Sequence, residues 1–520
     1  MMTDYELIDR AAAAWTGWER FREERRRNKR YTFGDQWCDT ITVDGESMTE
    51  ERWIEKQGCV PLKNNMIRRL VRSVVGVFRQ NFKVPAVSAR DPEEKPLAEM
   101  MNRLLDMNAT VNNLPELYAR TMEEFLISGV AIHRKWYGRR EGTTDCWTDY
   151  VHPDAFFAET GKGDFRGWDI PFLGQIHDYP FEELCARFSR TPEDYDVLGR
   201  IYGGAGRQPL SPIDFGYAPS TRGFFEPRGG GGCRVIEVWE RRHETVWCYH
   251  DRGSGKLYET TRRIDPGVIS DLNAERRASG ADGIETHLRH TDRWRYTFMA
   301  PTGEILARGY SPYRHGEHPF VVKAYPLIDG EVHSFVADVI DQQRYTNRLI
   351  TLYDWAMRAS AKGVLLIPTG SVPHGHSVQE MADEWSRFNG VIEYRQTNTG
   401  AKPEQVSANG SNIGITELLN IQMKMFEEIS GVSSALQGKL ESSTMSGTLF
   451  DQQTRNALAA LLDLTESFRS FIVEGAVKDA SNLRQFYTRE DLEAAAGEGA
   501  AALERDTARF GRLTRDFRFI

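Results

Sequence analysis

Residues 333–362 contain neither proline nor glycine over a run of 30 positions. Without the two residues that most readily end a helix, such a run forms a rod of roughly 45 Å. Val336, Ile340, Gln343, Asn347, Ile350, Asp354 and Met357 recur along one stripe of it. Gln, Asn and Asp interrupt that stripe, which is unusual for a helix buried inside a monomer. A helix packed against identical neighbours in a ring tolerates them. A compact insert at 363–410 follows: a strand at 364–367, a Pro/Gly/His turn, a helix at 378–388 and a second strand at 390–394. A second uninterrupted helix is predicted at 415–430, then a short polar loop at 437–447. Beyond the loop lies a long helix striped by Phe450, Ala457, Leu458, Leu461, Leu464, Phe468, Phe471 and Ile472. Two long helices framing a small α/β insert cannot bury all their faces within one copy, so self-association is expected.

Upstream, 5–29 reads as one charged helix carrying Ala11 to Ala14, Trp15 and Trp18, and ending at the stretch Tyr31 to Trp37. Its Arg25-Arg26-Arg27 run reads first as a solvated face, and second as a contact for nucleic acid or an acidic neighbour. Residues 63–90 hold seven basic side chains and no acidic one, with Ile67, Leu70, Val71, Val74, Val75 and Phe78 at helical spacing. That is an amphipathic helix with a basic outer face, closed by Pro85. Further helices are predicted at 97–107 and 114–128, the latter stopped by Gly129. From 130 to about 325 the texture changes to short alternating strands, as at 131–137, 235–247 and 296–306. Residues 203–232 form a Gly/Pro-rich loop in this mixed, mostly β third.

At 520 residues the chain has room for three or four domains or one large interlocked body. Hydrophobic content of 40% and charged content of 27% fit a soluble globular protein. No run reaches the roughly 18 apolar residues of a membrane span, and the N-terminus lacks a secretory pattern, so a cytosol-like compartment is expected. Six scattered cysteines, none in a Cys-x-x-Cys pair, read as free thiols. A phosphate loop, a His-Glu-x-x-His motif and a Gly-x-Ser-x-Gly elbow are all missing. The runs Gly253 to Lys256 and Gly229 to Gly232 lack the context of a phosphate cradle, and His315/His318 and His374/His376 lack a third ligand at a fixed offset. The formal charge of −9 excludes a protein that grips DNA by its overall charge. DNA is then either no ligand or a passenger that must not stick.

Several stretches resemble, in order, the portal proteins of tailed bacteriophages, closest to the larger portals of short-tailed phages. They are Phe33-Gly-Asp-Gln-Trp37; Asn65 with the basic helix and Asn81-Phe-Lys-Val-Pro85; and Val151-His-Pro-Asp-Ala-Phe156. His318-Pro-Phe320 to Gly330 follows, then Asp338-Val-Ile-Asp-Gln-Gln343 with Asn347, and lastly Ile429-Ser-Gly-Val432 with Leu436-Gln-Gly438. The resemblance implies an α+β portal fold in a ring oligomer, typically a dodecamer. Its parts would be a β-rich wing with N-terminal helices (1–325), a first stem helix (326–362), an α/β clip (363–410) and a second stem helix (411–432). A tunnel loop (433–447), a long wing helix (448–480) and a short helical crown or C-terminal region (481–520) complete it.

The resemblance further implies a non-enzymatic virion protein without cofactor or metal, assembled in the host cytoplasm and placed at the capsid portal vertex. Its partners would be itself, double-stranded DNA in transit, terminase, a head–tail adaptor and the major capsid protein, with no membrane. The tunnel-loop residues expected to meet DNA are Gln437, Lys439, Glu441, Ser442, Ser443, Thr444 and Ser446, where one lysine is nearly balanced by one glutamate. Arg344, Arg348, Arg358 and Lys362 on the first stem helix either line the channel or pair between subunits, with pairing preferred. The alternatives are another head–tail connector or capsid structural protein and, ranked lower, a terminase or nuclease.

Overall fold

The structure, a computed structural model, describes residues 4–89, 92–159, 164, 166–202, 221–227, 232–251, 256–260, 262–325, 327–328, 330–362, 364–386, 391–396, 400, 402–406, 414–432, 459, 461–496 and 518–519. Its helices are α1 (Tyr5–Gly17), α2 (Glu19–Phe33), α3 (Glu50–Lys56), α4 (Met66–Asn81), α5 (Lys95–Val111), α6 (Leu114–Ser128), α7 (Phe181–Phe188), α8 (Pro192–Tyr202), α9 (Arg222–Phe225), α10 (Pro266–Ala278), α11 (Ala337–Lys362), α12 (Val378–Ser386), α13 (Ile415–Ser430), α14 (Leu462–Phe486) and α15 (Arg489–Ala496). The fold class is α+β. The chain divides into two compact units: Met1–Arg26, Val75–Ser334 and Leu462–Ile520 form the first, Arg27–Val74 and Phe335–Leu461 the second.

In the first unit, strands β4 (Val130–Arg140) and β5 (Thr143–Tyr150) form a hairpin that β12 (Phe320–Ala324) extends to three strands. A second antiparallel sheet has the order β11 (Ile305–Tyr310), β10 (Ile284–Met299), β8 (Cys233–Asp251), β7 (Phe172–Tyr179) and β6 (Phe156–Ala158), with β9 (Lys256–Thr260) also pairing β8. Helix α1 lays Leu7, Ile8, Ala11 and Trp15 on Phe157, Phe172 and Ile236 of that sheet. Helix α14 packs against β4, β12 and α5, burying Phe468, Phe471, Ile472, Ala480 and Leu483. Residues 233–240 of β8 are buried on both faces, so their charges are paired rather than solvated: Arg234 donates to Asp178, while Glu237 accepts from Arg134 and Trp239.

The second unit contains hairpin β1 (Thr40–Val43) and β2 (Glu46–Thr49), α3, α11, α12, α13 and a two-stranded sheet of β15 (Val364–Leu366) and β16 (Glu404–Val406). Asp44 and Gly45, at φ 53° and 83°, form the two-residue turn whose twist matches the flanking strands.

Several expectations change in detail. The N-terminal helix is two helices, because the chain breaks at Trp18, whose indole turns to donate to the Ala158 carbonyl. The first long helix begins at Ala337, since Glu331–Val332 is taken up in pairing with Leu327–Ile328. The stretch 296–306 is the end of one strand, a turn and the start of the next. The partner of Val364–Leu366 is Glu404–Val406, and 391–396 is not a strand; Val391 is 77% exposed, so no apolar face directs that stretch into the sheet. Helix α6 ends where expected, on Gly129 at φ 78°, a left-handed conformation that spares only glycine a Cβ clash.

Candidate functional site

Three motif stretches that lie far apart in sequence meet in the second unit. The Gln343 side chain on α11 accepts from the backbone N–H of Met66 (2.9 Å) and of Ile67 (3.3 Å). These are donors of the first turn of α4, which have no partner inside their own helix. Asn65 caps the same turn by accepting from Arg68 N–H at 2.9 Å, and its amide donates to the Thr32 carbonyl. The Gln343 amide nitrogen donates to the Asn64 carbonyl (2.7 Å) and to Asn347 Oδ1 (2.9 Å). Asn347 Oδ1 also accepts from Asn64 N–H, while its Nδ2 donates to Gln36 Oε1 at 2.8 Å. Gln36 in turn donates to the Tyr31 carbonyl, and Leu62 N–H donates to Thr351 Oγ1. Gln36, Gln343 and Asn347 are fully buried, so each amide replaces the water it lost with partners from a different segment.

One face of this cluster is ionic. Arg344 and Arg348, a turn apart on α11, both donate to the same oxygen of buried Glu50, Arg348 at 2.7 Å. Asp39 accepts from Arg27 (2.9 Å) and from the Tyr31 hydroxyl (2.9 Å). Burial raises the Asp39 carboxyl, but those hydrogen bonds and the charges of Arg27 and Arg344 outweigh it and hold it below its ordinary range. The amides of the arrangement are matched donor to acceptor across segments, while Glu50 Oε2 and Arg344 Nε are buried without a hydrogen-bond partner. It locks segments together.

The residues that join here are the glutamine of the Gly-x-Gln-Trp element, the asparagines before the basic helix and the Asp-x-Gln-x-x-x-Asn pattern of the long helix. A family model for phage P22-like portal proteins matches residues 8–498. The chain belongs to this family. No curated protein compared with it matches. As a phage portal protein it is a virion component of the capsid vertex, and the role of its family is the channel for DNA packaging. Among the described residues, no helix is long and apolar enough to cross a membrane.

In this portal protein, Arg344 and Arg348 of the expected stem-helix cations are brought together on Glu50. The side chains of Arg358 and Lys362 lie outside the described residues, as do all seven expected tunnel-loop residues, Gln437, Lys439, Glu441, Ser442, Ser443, Thr444 and Ser446. Two readings are corrected. Gln343 and Asn347 are satisfied within one chain, so their place in the helix stripe needs no neighbouring copy. The Arg25-Arg26-Arg27 run is not a solvated face. Arg25 is 2% exposed and donates to both Glu124 oxygens, at 2.6 and 2.9 Å, Arg27 pairs with Asp39, and only Arg26 of the three is exposed.

The sequence reading missed the Glu50 anchor and the hairpin that positions it. The signal was present as Asp44-Gly45 between the alternating runs Thr40 to Val43 and Glu46 to Thr49. His315 stacks on Tyr313 at 5.1 Å, His318 stands edge-on to Trp294, Arg395 donates to His374, and His376 contacts Glu380. All six cysteines are free; five are buried and Cys59 is partly exposed.

Proposed function

We propose that copies of this chain close into a ring, typically dodecameric, at one capsid vertex, with double-stranded DNA passing through its centre. The observation that carries this reading is the apolar surface along both long helices of the second unit. Leu352, Trp355 and Met357 on α11 and Leu418, Ile421, Met425 and Ile429 on α13 are each at least 40% exposed. A lone subunit leaves these side chains to water, and a closed ring of heterologous contacts covers them.

In this reading α11 and α13 are the stem helices and residues 363–410 are the clip, which meets terminase during packaging and a head–tail adaptor afterwards. Residues 433–447 form the tunnel loop, 448–480 the long wing helix and 481–520 a short crown. Residues 1–325, the N-terminal helices and the β-rich segment, form the wing that faces the major capsid protein. Arg358 and Lys362 pair with acidic groups of the neighbouring subunit. The net charge of −9 fits a conduit that repels phosphate rather than holding it.

Negative-stain electron microscopy of the purified protein tests the reading: rings with a central hole wide enough for a duplex are expected, and monomers or small dimers overturn it. Deleting residues 439–446 is expected to leave rings intact while DNA packaging or retention falls. Loss of rings in that deletion would give the loop an assembly role in place of a channel role.

A further inference from the structure

The second unit carries an apolar cavity of about 590 Å³. Trp37, Glu50, Ile54 and Thr351 are its buried lining, while Trp53, Leu352 and Trp355 line it with 38%, 53% and 55% of their surface exposed. An open concavity holding three large exposed apolar side chains is the pattern of a docking site, because covering them releases ordered water.

The same unit also presents a convex counterpart. On α13, Leu418, Ile421, Met425 and Ile429 follow one another at intervals of three and four residues, which sets them in a single ridge. Helix α13 packs along α11 and its Phe426 is buried, yet the ridge stays between 40% and 49% exposed. Glu417 and Glu428 flank the ridge against one cation, Lys424, which lies 3.8 Å from Glu428. The cavity offers a cation to that flank: Arg348 lines it with a half-exposed side chain, and the Glu50 it pairs with is buried beneath. A half-exposed guanidinium over a buried carboxylate is the side of that pair that meets an acidic flank.

We propose that the α13 ridge of one subunit seats in this cavity of the next, covering Trp53, Leu352 and Trp355, with Glu417 and Glu428 turned toward Arg348. A two-fold dimer would need the same patch on both partners. A knob and a hole on one chain are instead the pair of unlike surfaces that a heterologous, ring-closing contact requires. The inference rests on the ring reading above and specifies which surfaces make its contact.

Cys59 supplies the test, because it lines the cavity as a partly exposed thiol while the other five cysteines are buried. Full-length chains with Cys59 intact are mixed, before assembly, with chains carrying Cys59→Ser and Met425→Cys, and the assemblies are treated with a short bis-maleimide. A covalent dimer is expected for the mixture and none for either chain alone. Ile421→Cys in place of Met425→Cys gives the same dimer if the first variant assembles poorly. Met423→Cys, on the other side of α13, gives none. Rings seen by electron microscopy without a cross-link at either ridge position overturn the docking and leave the ring reading standing. Failure of the unmodified protein to form rings overturns the ring reading itself.

Discussion

Gln343 uses both ends of its amide, the oxygen on the first turn of α4 and the nitrogen on Asn64 and Asn347. Gln343→Glu keeps the acceptor but removes both donors and turns a carboxylate oxygen toward two other oxygens. Gln343→Leu takes the side-chain acceptor from the buried Ile67 N–H, leaves the Met66 N–H with the Asn64 carbonyl, and strips Asn347 Oδ1 of a donor. Each change is expected to cost about 2–4 kcal/mol, read as a lowered midpoint in denaturant unfolding, because a buried polar group without a partner pays its full desolvation. A second residue-scale consequence concerns three histidines, His133 fully buried and His315 and His318 partly so. Burial, helped by the charge of Lys478, pushes His315 down to about 3 and His318 well below its ordinary value; burial, helped by Lys135, does the same to His133. Folded pKa values below unfolded ones mean that the unfolded chain binds more protons as pH falls. The stability is therefore complete above the unfolded histidine pKa and declines below it, by about 1.4 kcal/mol per pH unit for each such group. Thermal unfolding followed from pH 7.5 down to 5 is expected to show this decline, and His315→Gln to make it shallower.

Helix α14 shows how an element is fixed by charges placed inside a core. The Lys135 ammonium on β4 donates to Thr148 Oγ1 at 2.9 Å and to Asp479 on α14 at 2.5 Å, and both charged side chains are almost fully buried. Lys135→Met alone strands a buried carboxylate and is expected to cost about 3–5 kcal/mol. The double change Lys135→Met/Asp479→Leu is expected to recover most of that loss, and a double-mutant cycle by urea unfolding measures the difference. This pairing also marks the limit of what the chain discloses before it folds. The course of α13 and α6 was legible because apolar spacing and the stop at Gly129 act within a few turns. The ion pair was not, since Lys135 and Asp479 are 344 positions apart and neither residue type announces its partner. The Asn347–Gln36 contact, across 311 positions, was hidden for the same reason, although its motifs were recognisable one by one. Arg25 was misread because a triple-arginine run looks the same whether water or Glu124 satisfies it.

At the scale of the molecule, the balance between sliding and holding follows from charge repeated around a ring. Any side chain facing the channel appears once per subunit, so one substitution acts as a girdle of identical changes. In the proposed tunnel loop, residues 437–447, Lys439 is the only cation in the sequence and Glu441 nearly cancels it, so on that proposal hydroxyls and backbone would meet phosphate. Glu441→Lys changes each subunit by two charges and, on the proposed placement of the loop, would convert a near-neutral girdle into a cationic one. Each phosphate it neutralises displaces condensed counterions, so the added hold weakens steeply as salt rises. Filled heads carrying Glu441→Lys are expected to release DNA more slowly than unmodified heads at low salt and to approach the unmodified rate as salt rises. Glu441→Gln should lie between them. Equal release rates for all three at every salt concentration would place this loop away from the DNA, whatever the ring's other surfaces do.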